Sequence, residues 1–232
     1  MGLTIHLKLS LPSKTTFGKV VEKVEKLRQA LLDMPFAAVD KELTIRKNCT
    51  IKRGDNSEKS WFFIQAGCDE TVPRTVIGFS TLPAEGTESA DFGLTKEKIG
   101  EWKWSSFCKT QYANDPRCGG LQNFLRGHLL VIAALDKAKE IGFEVMVNDE
   151  GGYWEKRDVE ALSKEIGEWD AFIAGMSVAL GQAMKGSELT MESAMDGRPD
   201  REILEHRGLQ ANPALLKLIE GTKKKPELPD RG

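Results

Sequence analysis

Residues 142–154 read GFEVMVNDEGGYW, and the direction in which this stretch runs decides the fold. FEVMVND, 143–149, has strand character. Gly151 and Gly152 turn the chain, and a long helix starts near residue 155. Val159, Leu162, Ile166, Trp169, Ile173, Met176 and Leu180 then step by three or four, with acids in the first turn where the helix dipole favours them. Upstream, a helix over 120–141 buries a face of Leu121, Phe124, Leu125, Val131, Ile132 and Leu135 and stops at Gly142. Before it lies WKWSSFC, a strand over 102–108. A strand–helix–strand unit within one sheet predicts two strands that run the same way, joined by a right-handed crossover. Strands that run the same way end on the same edge. CKTQY at 108–112 and NDE at 148–150 are therefore predicted to come together.

Working outward, TIHLKLSL alternates Ile5, Leu7 and Leu9 against His6, Lys8 and Ser10, which predicts a half-buried strand. Phe17, Val20, Val21, Val24, Leu27 and Leu31 predict an amphipathic helix over 16–33, ended near Pro35. Strands are expected at about 42–51, 60–67 and 75–81, linked by turn-rich KRGDNSEK and GCDETVP. PAEGTESADFGLTKEKIG, 83–100, reads as a long surface loop. Short helices are expected near 200–206 and 213–221, and KKKPELPDRG reads as a disordered tail. The order β-α-β-β-β-β-α-β-α predicts an α+β fold: a mixed β-sheet of about six strands with two or three long helices packed on it. The expected organisation is one domain over 1–186, a helical appendage over 187–222 and a tail over 223–232.

Composition narrows the function classes. The 232 residues are 40% hydrophobic, enough for a sizeable core, and the formal net charge is −2 with both signs interspersed. Such a balance argues against nucleic acid as a partner, and the short run Lys223, Lys224, Lys225 reads as solvated. No stretch reaches the roughly 18 apolar residues of a membrane helix. With no secretory h-region at the start, the expectation is a cytoplasmic protein. Cys49, Cys68, Cys108 and Cys118 form no Cys-x-x-Cys pair and read as free thiols.

The predicted strand-end edge gathers the candidate site. Lys109, Gln111 and Tyr112 donate hydrogen bonds; Asp149 and Glu150 accept them or hold a cation. Tyr153 and Trp154 could stack on a ring, and Lys156 and Arg157 add positive charge. In open α/β sheets ligands collect at this kind of edge. The competing reading is a helix-entry turn with acids serving the dipole and aromatics as a staple. Three sharper chemistries compete with these readings. Cys108, Cys118 and His128 could pair as nucleophile and base or share zinc, but the spacing fits no common zinc pattern. His128 sits on the apolar helix face and reads as a core residue, and Cys108 reads as a buried thiol. Asp149, Glu150, Glu155 and Asp158 could hold magnesium, although acids are common at helix starts. Trp61, Trp102 and Trp104 could form a stacking platform for nucleic acid, but they read as packing.

WSSFCKTQYA at 104–113, NDEGGYWEKRDVEAL at 148–162 and GFSTLPAEG resemble segments of a group of bacterial proteins with no established activity. The resemblance covers roughly residues 4–185 and implies a bacterial, cytoplasmic, single-domain protein; it carries over no catalytic residue and no cofactor. The expected function is binding of a small polar ligand or a protein partner at the 108–112/148–157 edge. The alternative is a hydrolytic enzyme at that edge, using carboxylates with a metal ion or Cys108 as nucleophile. A homo-oligomer is a third expectation.

Overall fold

The computed structural model describes residues 3–50, 62–64, 66–68, 72–183, 195–215 and 217. The chain divides into two compact units, Met1–Leu162 and Ser163–Gly232.

In the first unit, alternation sets the central strand. β1, Thr4–Leu11, buries Ile5, Leu7, Leu9 and Leu11 and exposes His6 and Lys8. Each buried aliphatic side chain contributes about 1.5–3 kcal/mol. A one-residue slip would turn all four outward, so the register is firmly specified. Among the described residues, β2 (Ala38–Val39), β3 (Thr44–Cys49), β4 (Arg74–Leu82), β5 (Ala90–Lys96), β6 (Trp102–Lys109) and β7 (Glu144–Asp149) join β1. The order is β2-β4-β5-β6-β1-β7, with β3 also on β4. The fold is α+β, as expected. Every neighbouring pair is antiparallel, however, and the sheet is not mixed at the level of adjacent strands. β6 and β7 do run the same way, because each is antiparallel to β1, which lies between them.

Two helices cover the buried face. α1, Phe17–Leu32, starts at Thr16, whose side chain accepts from the Lys19 N–H, and buries Val20, Val24, Leu27 and Leu31. α2, Gly120–Ile141, buries Phe124, His128, Val131, Ile132 and Leu135. It ends at Gly142, whose φ of +93° suits glycine and whose N–H closes on Ala138 and Lys139. Trp102 and Trp104 are core residues, each anchored by its indole N–H: Trp102 to the Thr15 carbonyl at 3.0 Å, Trp104 to that of Asp91 at 2.9 Å.

Two sequence expectations are corrected. The 83–100 stretch is not a loop throughout, because it contains β5. Ala90, Phe92 and Leu94 alternate with Asp91, Gly93 and Thr95, but the run is short, carries Asp and Gly, and sits among turn-type residues that read as loop. Its Gly93 faces Gly78 of β4, and a Cβ at Gly93 would lie 2.5 Å from the Ile77 carbonyl oxygen. The run expected as a strand at 60–67 is helical at 62–64, and part of it, with Trp61, lies outside the described residues. So do the tail and most of the helix expected at 213–221.

After β7 the chain makes one helical turn, α3 (Tyr153–Lys156), and enters α4, Val159–Ala183. The second unit takes up the rest of α4 and α5, Arg201–Ala211. A Cβ at Gly208 would overlap the Ala171 carbonyl, so the two helices cross at glycine range. A buried Arg198–Asp170 pair at 3.0 Å ties Arg198 to α4.

Candidate functional site

The two stretches predicted to meet do so across one strand. In β1, Thr4 pairs with Lys109 and Ile5 pairs with Asp149. The Thr110 N–H donates to the Leu3 carbonyl at 3.2 Å and the Glu150 N–H to the Thr4 carbonyl at 3.1 Å. From this point the side chains part. Asp149 and Thr110 turn into the core, whereas Lys109 and Glu150 stand on the other face.

The inward half is a closed polar network. Thr110 Oγ1 lies 2.9 Å from His128 Nδ1, and His128 Nε2 lies 3.2 Å from Asp149 Oδ1. Asp149 also accepts the N–H groups of Gly151 and Trp154, both at 2.9 Å. Burial alone would push the Asp149 carboxyl up, but the His128 hydrogen bond and charge, with the Trp154 and Gly151 N–H groups, hold it below its ordinary value. The order hydroxyl–imidazole–carboxylate is that of a nucleophile triad. Thr110 is fully enclosed, however, so no substrate can reach its oxygen. The network is structural: it clamps α2 to the ends of β6 and β7.

The thiol and metal chemistries fare no better. Cys108 is fully buried and lies 3.2 Å from the Glu88 carbonyl, positioned to donate its S–H. Burial pushes this thiol far up, away from the thiolate a nucleophile needs. His128 is committed to Thr110 and Asp149, and among the described residues no group of three or more His, Cys, Asp or Glu could hold a metal ion. Asp158 accepts the Ala161 N–H at the start of α4, and Asp149 and Glu150 face opposite sides of the sheet.

The outward half is open. A hollow of about 290 Å³ is lined by Thr4, His6, Phe107, Lys109, Gln111, Tyr112 and Glu150. One Glu150 oxygen accepts the Thr4 N–H at 3.0 Å; the other lies 3.6 Å from His6 Nε2. Lys109 Nζ is 3.5 Å from Glu88 Oε1 and 5.9 Å from the centre of the Phe107 ring. Both charges of the Lys109–Glu88 pair are more than a third exposed, so the pair stabilises the fold by roughly 0–1 kcal/mol and leaves Lys109 able to exchange partners. Gln111 is only 9% exposed, and its enclosed side-chain oxygen has no hydrogen-bond partner. A buried polar atom without a partner costs about 1–3 kcal/mol, so its persistence asks for a reason. His6 and Phe107, with ring centres 6.1 Å apart, also line a second, mainly apolar hollow of about 370 Å³. Met146, Asn148, Ser105 and the charged Lys8 are also among its walls.

Four of the seven predicted ligand-binding residues, Lys109, Gln111, Tyr112 and Glu150, thus share one hollow. Asp149, Tyr153 and Trp154 do not line it. Tyr153 and Trp154 pack, partly buried, against the core, where Trp154 lies 4.7 Å from the Arg157 guanidinium and 5.3 Å from Lys139 Nζ. The guanidinium is in turn paired with Asp136 at 2.6 Å. Sequence reasoning missed Thr4, His6 and Phe107. The alternation of β1 marks His6 as outward-facing, but only the insertion of β1 between β6 and β7 brings it to this edge. A larger hollow of about 490 Å³ lies in the second unit, beside Trp169, Phe172 and Arg207. No enclosed, unpartnered polar atom is found there among the described residues.

Comparison with known protein families, curated proteins and solved structures finds no match.

Proposed function

We propose that the protein binds a small polar ligand in the hollow between the ends of β6 and β7. The observation that carries the reading is the enclosed, unpartnered side-chain oxygen of Gln111, a residue that lines the same cleft as Lys109, Tyr112 and Glu150. Unsatisfied buried polar groups are uncommon and gather at functional sites. The volume, near the lower end of the roughly 300–1,000 Å³ of ligand pockets, fits a small metabolite. The hydrolytic alternative has less behind it: Cys108 is enclosed and protonated, and the Asp149 oxygens are taken by His128, Gly151 and Trp154.

A thermal-shift panel of metabolites, nucleotides and metal ions tests this, because a ligand selective for the folded state adds about 2.7 kcal/mol at a hundred times its Kd. The expected result is a hit that raises Tm and disappears in Lys109→Ala and Gln111→Ala. A hit that survives both changes and is lost in Trp169→Ala would move the site to the second unit.

A further inference from the structure

The charges around the hollow narrow the ligand. This inference rests on the outward hollow being the binding site. An inorganic anion could meet Lys109 and Tyr112, yet it would face the Glu150 carboxylate and the Gln111 oxygen, two acceptors with nothing to accept. A simple cation would meet Glu150 and be repelled by Lys109. A neutral sugar would exclude water from Lys109 and Glu150 and leave them only their exposed neighbours Glu88 and His6. The complement of an ammonium and a carboxylate lining one hollow of about 290 Å³ is a molecule carrying both charges a few bonds apart.

The neighbouring hollow sets the rest. It opens on the other side of His6 and Phe107, and its walls are mainly apolar. Met146, 69% exposed in the middle of β7, is a large apolar side chain with little protein over it. A ligand seated in the polar hollow that extends over the Phe107 ring, which both hollows share, reaches Met146. We infer that the ligand is a zwitterion of the α-amino-acid type with an apolar side chain. Its ammonium group meets Glu150 and, once the Gln111 side chain turns toward the hollow, the Gln111 oxygen; its carboxylate meets Lys109 and the Tyr112 hydroxyl, and its side chain lies on Phe107 and Met146. The unpartnered Gln111 oxygen then receives an N–H donor, and the ammonium replaces His6 as the near neighbour of Glu150.

Isothermal titration of the full chain with five probes tests the inference: L-phenylalanine, L-leucine, glycine, phenethylamine and 3-phenylpropionate. L-Phenylalanine or L-leucine is expected to bind, with glycine, phenethylamine and 3-phenylpropionate each at least about tenfold weaker, the equivalent of one charge-assisted contact. Gln111→Met and Lys109→Met are each expected to weaken the best ligand about tenfold or more, and Met146→Ser to narrow its advantage over glycine. Equal binding of 3-phenylpropionate or phenethylamine would overturn the zwitterion; equal binding of glycine would overturn the role of the apolar hollow. If none of the five binds, the ligand class is wrong. The hollow itself is then judged separately, by whether thermal-shift hits of other chemistry are lost in Lys109→Ala and Gln111→Ala.

Discussion

Thr110 and Gln111 are neighbours in the chain, as are Asp149 and Glu150, yet each pair is split between two environments. Thr110 and Asp149 face the core, where every polar group of the network with His128 has a partner. Gln111 and Glu150 face the cleft, where one enclosed oxygen has none and the charges are loosely held. The turns that follow the two strands do the splitting: a 3-10 turn, Gln111–Asn114, after β6 and the tight turn at Glu150 after β7. The comparison teaches that an acidic, polar sequence motif at a strand end is not one site. One of its residues holds the scaffold, the next is free to meet a ligand, and only the direction of each Cβ tells them apart.

The contrast breaks most visibly at Asp149. Asp149→Ala strips His128 of its acceptor and leaves the Gly151 and Trp154 N–H groups unpaired in the interior. The expected loss in urea unfolding is about 3–5 kcal/mol. A loss near zero would show that the network does not hold the sheet to α2. Next comes Gly151→Ala. Its Cβ would lie 2.6 Å from Leu162 Cδ1, 3.1 Å from His128 Cε1 and 3.2 Å from Asp149 Oδ1. The expected cost is about 1–3 kcal/mol, read as a fall in Tm, since Leu162 must shift and His128 has no room to follow.

Acid sharpens the same point. The Asp149 carboxyl titrates lower in the folded chain than in the unfolded one, where its pKa is about 3.9. Its ionised form therefore contributes stability that is fully present above the unfolded value and is lost as pH falls through the depressed folded one. Unfolding free energies measured across the acid range should fall in the native protein, and the fall should be shallower in Asp149→Asn. Identical slopes would mean that Asp149 is not the group responsible. The smallest effect belongs to the outward half: Lys109→Ala should change stability by less than about 1 kcal/mol, since its pair with Glu88 is half in water. It should nevertheless abolish ligand-induced stabilisation.

Much of the fold is legible in the sequence, because its signals are periodic and local. β1 announces itself by Ile5, Leu7 and Leu9, α2 by its apolar face and Gly142, and the shared direction of β6 and β7 follows from the helix between them. β5 is hard to read, because its short alternation of Ala90, Phe92 and Leu94 is interrupted by Asp91 and Gly93 and embedded among turn-type residues. Its Gly93, which reads as loop, is there to let β4 approach. Residues 62–64 mislead for the opposite reason: Phe62, Phe63 and Ile64 form an apolar run that suits a buried strand or a helical turn equally. In the site, Lys109, Gln111, Tyr112 and Glu150 are found from strand ends alone. His6 and Phe107 require knowing that β1 lies between β6 and β7, which no local pattern encodes.

Urea unfolding of Gln111→Met without ligand is the most direct test. Methionine keeps the length of the side chain and removes the enclosed oxygen that nothing satisfies. If residue 111 belongs to a ligand and not to the scaffold, the variant gains up to about 1–3 kcal/mol of stability. If it loses a comparable amount, the oxygen was serving the fold, and the cleft has no claim to be a binding site.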